Sequence, residues 1–418
     1  MRRALLLAAL PLWLAGCGGG ESSASAPSSA ATTSADSTST TAAYSARIYH
    51  SPYANVSWGS TLRIKAQHHD HPGTSLASLL AYDAAGYNAL SLMDYSGAPA
   101  LSYALRRRLW TPEEVGVSTA LRNSFRNLAL LIPNAEEVGE GAYHMTSPFL
   151  TSYIQKYTPT TSSQTMQDSE YSSPQQLIDL IASKGGVPIL AHPWNAPETY
   201  TALRNYRGME IYSAYSSVMT RRGYSIWAGA DKNASMQAFW DTQLATNQRI
   251  VGLAVNDHFG PDAALSTVDP DLRDSGKIIV FAPSYDLASY RSAFEAGALL
   301  AVQDLGTIKD RYPVLQSLAI SSTALTLDTD GTVRWISMGA EIGSGKSLSY
   351  SAIPRGATYV RAEIANSEGS KLFTQAFVVR QEGDNNGDGT VNAADAVVCQ
   401  NVTAGTDTDA DHVRACRP

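Results

Sequence analysis

Apolar and polar positions follow two rhythms along this chain. From Tyr44 to about Gln303, short and nearly continuous apolar runs alternate with helix-like segments, which is the pattern of βα units. The candidate strands are 62–67, 89–94, 128–133, 187–192, 209–213, 250–255 and 277–282. Runs that are apolar on both faces suit parallel strands covered on both sides, so this α/β region is predicted to form a closed or nearly closed barrel. Ser173-Pro174 opens a helix through Leu177, Leu180 and Ile181 that stops at Gly185-Gly186, with N-cap, first-turn Pro and terminal Gly in order. After about Tyr312 the runs shorten. Segments 315–320, 324–327, 333–337, 347–352, 359–365 and 373–379 are separated by Gly, Asp, Ser and Asn turns and predict a small antiparallel β-sandwich over 306–380.

Residues 381–418 change character again. Asp384, Asn386, Asp388, Asn392 and Asp395 occupy loop positions 1, 3, 5, 9 and 12, with Gly389 at position 6, Thr390 at 7 and β-branched Val391 at 8. That is the spacing of a Ca²⁺ loop. It resembles one dockerin repeat, a family that usually carries two. Asp407, Asp409 and Asp411 alternate but lack the Gly-containing turn, so the segment is read either as a Ca²⁺-dependent module for a protein partner or as a Ca²⁺-stabilised structural knob.

The N-terminus has an address. Met1-Arg2-Arg3 and the apolar run 4–14 have the charge and length of a secretory signal, too short to span a bilayer. The run ends in Leu14-Ala15-Gly16-Cys17, which resembles the bacterial lipobox and implies a signal peptide over 1–16 with lipid on Cys17. The alternative is an ordinary signal peptide with a Cys near its cleavage site. Ser, Thr and Ala dominate 21–43, a composition that buries too little apolar surface to offset its ordering entropy, so 17–43 reads as a flexible tether. The chain is thus expected to be an exported bacterial lipoprotein, anchored to a bilayer through Cys17 and facing the periplasm or the cell exterior. The other two thiols, Cys399 and Cys416, would then sit in an oxidising compartment, where a disulfide between them is expected.

Composition narrows the function. Of 418 residues, 17% are charged and 44% hydrophobic, so charge gives way to Ser, Thr, Ala and Gly while enough apolar surface remains for folded domains. A net charge of -7 with no dense basic run beyond Arg106-Arg107-Arg108 excludes a nucleic-acid footprint. No Walker A or Gly-x-Gly-x-x-Gly loop supports nucleotide or dinucleotide chemistry. Histidines carry the remaining signal. His69, His71, His144, His192 and His258 lie at or beyond predicted strand ends or in strand-like runs, where a βα barrel builds its active face. Imidazoles converging with Asp94 and Glu136 would suit Zn, Mn or Fe.

These residues resemble the PHP (polymerase and histidinol phosphatase) family, over roughly 44–305. Lys65-Ala66-Gln67-His68-His69-Asp70-His71 is similar to its Lys and His-x-His motif, the strand ending at Asp94 to its Thr-Asp-His, Asn134-Ala135-Glu136 to its Gly-x-Glu, and His144 to a further His ligand. Ala191-His192-Pro193 matches its Ala-His-Pro, Gly208-Met209-Glu210-Ile211-Tyr212 its Gly-x-Glu-x-Tyr strand, and Asn256-Asp257-His258 its Asp-x-His. The resemblance implies a distorted (β/α)7 barrel over 44–305 and hydrolysis of a phosphoester or similar small anionic substrate by metal-activated water. It also implies His69, His71, Glu136, His192 and His258 as catalytic residues, with Asp94, His144 and Asn256 or Asp257 joining them as metal ligands.

The chain departs from the family at three places. Tyr95 replaces the His of Thr-Asp-His, Pro72-Gly73-Thr74 replaces the usual Ser-Asp-Gly, and strand alternation puts Asn256 rather than Asp257 on the same face as His258. The expected metal count is therefore one to three. The rival reading is a catalytically degenerate barrel serving as a lipid-anchored binding protein. His68, out of phase with His69, is expected to be structural, and Glu210 is read either as an outer support or core-edge carboxylate or as a substrate contact. The lipid anchor predicts that Cys17→Ser releases the protein from membranes; continued sedimentation of that variant with membranes would refute acylation as the anchor.

Overall fold

Most of the expected apolar runs become strands, and the strands collect in one large curled sheet. The computed structural model describes residues 45–70, 76–95, 117–138, 144–152, 154, 170–193, 200–221, 232–246, 249–257, 274–387, 390–409, 412–413 and 416. The chain divides into two units, Met1–Ala43 and Tyr44–Pro418, and the described residues all belong to the second. The expected signal peptide, tether and Cys17 lie outside them. Among the described residues no helix is long and apolar enough to cross a membrane.

The strands of the first part are β1 (Ala46–His50), β2 (Leu62–Gln67), β3 (Ala89–Tyr95), β4 (Leu130–Val138), β5 (His144–Thr146), β6 (Ile189–Ala191), β7 (Gly208–Ser213), β8 (Val251–Val255), β9 (Gly276–Ala282) and β10 (Leu299–Gln303). Helices α1 (Leu76–Ala84), α2 (Thr119–Arg122), α3 (Pro174–Ser183), α4 (Ala214–Arg221), α5 (Lys232–Ala245) and α6 (Leu287–Glu295) lie between them. In α3, Ser173 caps Gln176 N and Pro174 opens the first turn, and Gly185 follows with φ 77°, as its sequence signals require.

The sheet is mixed, which corrects the expected run of seven parallel strands. β2, β3 and β4 are parallel, as are β6, β7 and β8. Between the two sets, β5 runs antiparallel to both β4 and β6, and β9 runs antiparallel to β2 and β10. The short link 139–143 explains β5: a parallel return needs a crossover of about a dozen residues, and a link this short leaves only the antiparallel return.

The sheet curls until β8 lies beside β9 and β10. No ladder joins β8 to them among the described residues, and side-chain amides bridge the seam instead. Asn256 Oδ1 accepts from Gly276 N at 3.0 Å, and Gln67 of β2 spans the same gap, its Oε1 accepting from Asn256 N at 3.4 Å while its Nε2 donates to Gly276 O at 2.7 Å. Gln375 Oε1 accepts from Gly252 N at 2.8 Å while its Nε2 donates to Gly252 O at 2.9 Å, so one side chain imitates a strand partner. Gly276 permits this approach, since a Cβ there would collide with the backbone of Val255.

The second part contains β11 (Leu315–Ile320), β12 (Ala324–Thr329), β13 (Thr332–Ser337), β14 (Ala340–Ser344), β15 (Ser347–Ser349), β16 (Tyr359–Ala365), β17 (Lys371–Thr374) and β18 (Phe377–Gln381). β11, β12 and β15 form a separate antiparallel sheet, whereas β13, β14, β16, β17 and β18 continue the large sheet through β10–β17 and β1–β18 ladders. Antiparallel layers are present, but hydrogen bonds cross the boundary expected at residue 306. The run 373–379, expected as one strand, breaks at Gln375, whose N–H donates to Tyr53 Oη while its side chain turns to Gly252.

One hydrophobic core unites Ile64, Ala66, Ile132, Ile189, Leu253 and Ile278 of the curled sheet with Leu325, Trp335 and Val360 of the later strands. A second packs Leu177, Ile181 and Trp240 of α3 and α5 against Leu190, Met209 and Ile211. The buried Arg361 guanidinium locks β16 to α5, with Nε 2.7 Å from Asp241 Oδ1 and Nη2 2.8 Å from Oδ2. Helix α7 (Ala393–Thr403) closes the chain, with Cys399 joined to Cys416 by a disulfide at a Cα separation of 5.2 Å. The amide-closed seam predicts that Asn256→Ala and Gln375→Ala each destabilise the fold by about 1–3 kcal/mol, because each leaves buried backbone groups unmet. Urea melts that superimpose on the wild-type curve would overturn this.

Candidate functional site

Strand β2 ends at Gln67 and delivers His68, His69 and Asp70 in succession, all buried. Alternation sends His68 to the apolar side with Ala66. Its ring stacks 4.5 Å from Phe294, its Nε2 lies 2.8 Å from Tyr290 Oη, and burial pushes its pKa down to about 3. It is a neutral core residue, in the structural part expected of it.

His69 faces carboxylates. Its Nδ1 is 2.5 Å from Glu210 Oε1 and its Nε2 is 3.2 Å from Asp257 Oδ1, with the rings and carboxylate of the first pair wholly buried. Glu210 sits on β7 opposite Leu253 of β8, between Met209 and Ile211, whose side chains belong to the helix-covered core. Its other oxygen, Oε2, accepts the backbone N–H of His192 at 2.6 Å. His192 directly follows β6 and has φ 30°, a conformation rare for a residue with a Cβ. Its ring centroid lies 4.9 Å from that of His144 and 5.8 Å from that of His69. His144 opens β5 opposite Ala191, so the antiparallel return that breaks the barrel pattern also brings this imidazole to the end of β6.

The structure separates Asn256 from Asp257. The Asn256 amide is occupied by Gly276 N and by Asp274 Oδ1, the latter at 3.4 Å, and it points into the seam. Asp257 has φ 57° and its N–H donates to His69 O at 2.7 Å, a turn that carries its carboxylate to His69. Strand alternation, which favoured Asn256, fails because β8 ends at Val255. The backbone of Asp94 pairs opposite Ala135, and that of Glu136 opposite Tyr95 and Thr146, so both chain positions reach the rim near β5. The side chains of Asp94, Tyr95 and Glu136, and all of His71 and His258, lie outside the described residues. Among the described residues no group of three or more His, Cys, Asp or Glu side chains could hold a metal ion. The described donors fit such an ion in chemistry: nitrogen and carboxylate oxygen together, with a buried carboxylate fixing the far nitrogen of His69.

Lys65, the first residue of the His-x-His motif, belongs to a second polar cluster. Its Nζ is 2.8 Å from Asp310 Oδ1 and from Ala85 O, and 4.5 Å from the centre of the Tyr87 ring. Lys277 Nζ lies 3.3 Å from Asp274, 3.1 Å from Asp304 and 3.1 Å from Asp310. Burial lowers the pKa of Lys65, and the charge of Lys277 lowers it further. Burial pulls that of Lys277 down too, but the three aspartates outweigh it and hold it above the usual lysine value. Asp274 links the clusters by accepting from Tyr87 Oη and Asn256 Nδ2. Gln67, Asp274 and Lys277 escaped sequence reasoning; the only signal was their polarity within or beside otherwise apolar strands.

The C-terminal loop is folded back on its own carboxylates. Asp384 Oδ1 accepts from Gly387 N at 2.8 Å. Asp395 accepts from Asn385 N at 2.7 Å, Asn386 N at 3.0 Å and Asn392 N at 2.8 Å, and Asn392 caps α7 in a capping box with it. Burial raises the Asp395 pKa, but these N–H groups outweigh burial and hold it below the usual carboxylate value. Thr390 and Asn392 are exposed, and Asp388 lies outside the described residues.

No family model matches the sequence, and no curated protein matches it. Among solved structures, a two-domain protein from Bacteroides vulgatus containing a predicted PHP-like metal-dependent phosphoesterase is similar with a TM-score of 0.39 at 12% identity, over 70% of this chain and 84% of that one. PsfC from Pseudomonas syringae gives 0.32 at 11% identity, over 53% and 83%. A protein from Bifidobacterium adolescentis assigned as a metal-dependent phosphoesterase gives 0.28 at 10%, over 47% and 87%. At these values the likeness is a partial overlap of backbone, and no residue role passes from those proteins to this chain.

Proposed function

We propose that this chain is a metal-dependent hydrolase of the PHP type acting on a phosphoester or a similarly small anionic substrate, exported and anchored by lipid on Cys17. The observation that carries the reading is the buried His69–Glu210 pair, with His69 Nε2 turned to Asp257 and the rings of His192 and His144 alongside. A buried carboxylate on one imidazole nitrogen is how proteins orient the other nitrogen of a histidine toward a metal. His69, His144, His192 and Asp257 would supply only part of the donor set of a Zn, Mn or Fe ion, which His71, Asp94, Glu136 and His258, candidates from the sequence, would complete. Such an ion would supply polarisation of a phosphoryl oxygen and acidification of a water molecule. Glu210 keeps the His69 ring in place, and Asp257 contributes negative charge beside it.

One observation favours the second reading, a non-catalytic binding protein: Asn256, at one of the expected ligand positions, is spent on the seam. Metal content and hydrolysis of a generic phosphomonoester and phosphodiester with Zn, Mn and Fe decide between the two. The hydrolase should contain transition metal and lose at least about 100-fold of its activity in His192→Ala, scaled on what supporting residues alone contribute to metal sites. Bound metal without turnover would select the binding protein, and activity indifferent to His192→Ala would sink the hydrolase.

The C-terminal loop is proposed to bind Ca²⁺ through Asp384, Asn386, Asp388, Thr390, Asn392 and Asp395. The folded loop and the ionised Asp395 support it. Ca²⁺ should raise a melting step that a chelator lowers again and that Asp388→Ala abolishes; a melt insensitive to both would remove the site.

A further inference from the structure

Resting on the hydrolase reading for its consequence, we propose that Glu210 is a positioning residue that sets His69 and His192 together and, through His192, the contact with His144. Both oxygens of the carboxylate are engaged inside the protein, Oε1 with His69 Nδ1 at 2.5 Å and Oε2 with His192 N at 2.6 Å. The residue is wholly buried, so it acts on a substrate or metal through the two histidines and not by touching either.

Three features make the carboxylate decisive. Its position is fixed from below, because Met209 and Ile211 on either side are held in the core against α5. The β7–β8 register shifts just after it, between Glu210 and Tyr212, so the ladder is irregular where the side chain is needed and resumes at Tyr212 opposite Ala254. A buried carboxylate must be met by donors, and the donors here are an imidazole and a backbone N–H. Meeting the first directs Nδ1–H of His69 at Glu210 and turns Nε2 to Asp257. Meeting the second holds the backbone of His192 at φ 30°, a strained conformation that persists only where its surroundings over-determine it. That turn places the His192 ring edge-on to His144. One side chain from β7 thereby aligns imidazoles delivered by the ends of β2, β6 and β5.

The test uses protein labelled with ¹⁵N only at histidine, with His69→Ala and His192→Ala assigning the signals. In metal-free protein, Glu210→Gln should shift the His192 amide upfield, speed its exchange and move the ring nitrogens of His69. In titrations with Zn or Mn, the same variant should bind about 10–100-fold more weakly at unchanged stoichiometry. Glu210→Asp keeps the charge but withdraws the oxygens by one methylene, and it should weaken binding in the same direction, which covers the case in which the Gln variant does not fold. Unmoved His192 and His69 signals would overturn the proposal, and so would moved signals with unchanged metal affinity, since the carboxylate would then support only the fold. A wild-type protein that binds neither metal defeats the hydrolase reading, while the amide and ring signals still decide whether Glu210 positions the histidines.

Discussion

Where β8 returns to β9, the backbone ladder stops, and the buried N–H and C=O groups along that seam still require partners. Asn256, Gln67 and Gln375 supply them with side-chain amides, which carry a donor and an acceptor in nearly the arrangement of a peptide group. The rest of the architecture follows from that closure. The closure holds together the ends of β2 and β8, which lead directly into His69 and Asp257. The seam also decides the division of labour in the Asn256-Asp257 pair: the amide is consumed by structure, and the charged neighbour is left to face the imidazole.

Two groups of buried and partly buried charge lie close together and are balanced differently. Asp274, Asp304 and Asp310 face the ammonium groups of Lys65 and Lys277, so that cluster carries fixed positive charge against fixed negative charge. Glu210 and Asp257 face imidazole. A lysine there would compete with any divalent ion for the same carboxylates, whereas a neutral imidazole is itself a donor atom. Lys65, which precedes the His-x-His motif, therefore works at the neighbouring cluster, linked to the site through Asp274 and Asn256.

Much of this was legible in the sequence where a run was long and clearly bounded. The limits of β2, β11 and β16 coincide with the apolar runs that predicted them, since turn residues precede β2 and flank β11 and β16. Helix α3 carried its own start and stop signals. Strand β5 was invisible because three residues hold no periodicity, and with it went the mixed character of the sheet. The break at Gln375 and the swap between Asn256 and Asp257 share one cause: both depend on partners more than 15 residues away, at Gly252 and Gly276, to which local alternation is blind. The histidines at strand ends were legible as a set, while the support given by Glu210 became visible only with its two hydrogen bonds.

The first and last strands of the large sheet are neighbours: Ala46 pairs with Gln381 and Arg47 with Arg380. A chain emerging from its N-terminus holds β1 without its partner until almost everything else has been made, and the β10–β17 ladder imposes a similar wait. Pairing over such separations is slow, because loop closure must precede the contacts that reward it. Folding of this protein is thus an event of the completed chain. A fragment ending near residue 305 would leave β1 and the outer edge of β10 as bare strand edges, open to pairing with other chains.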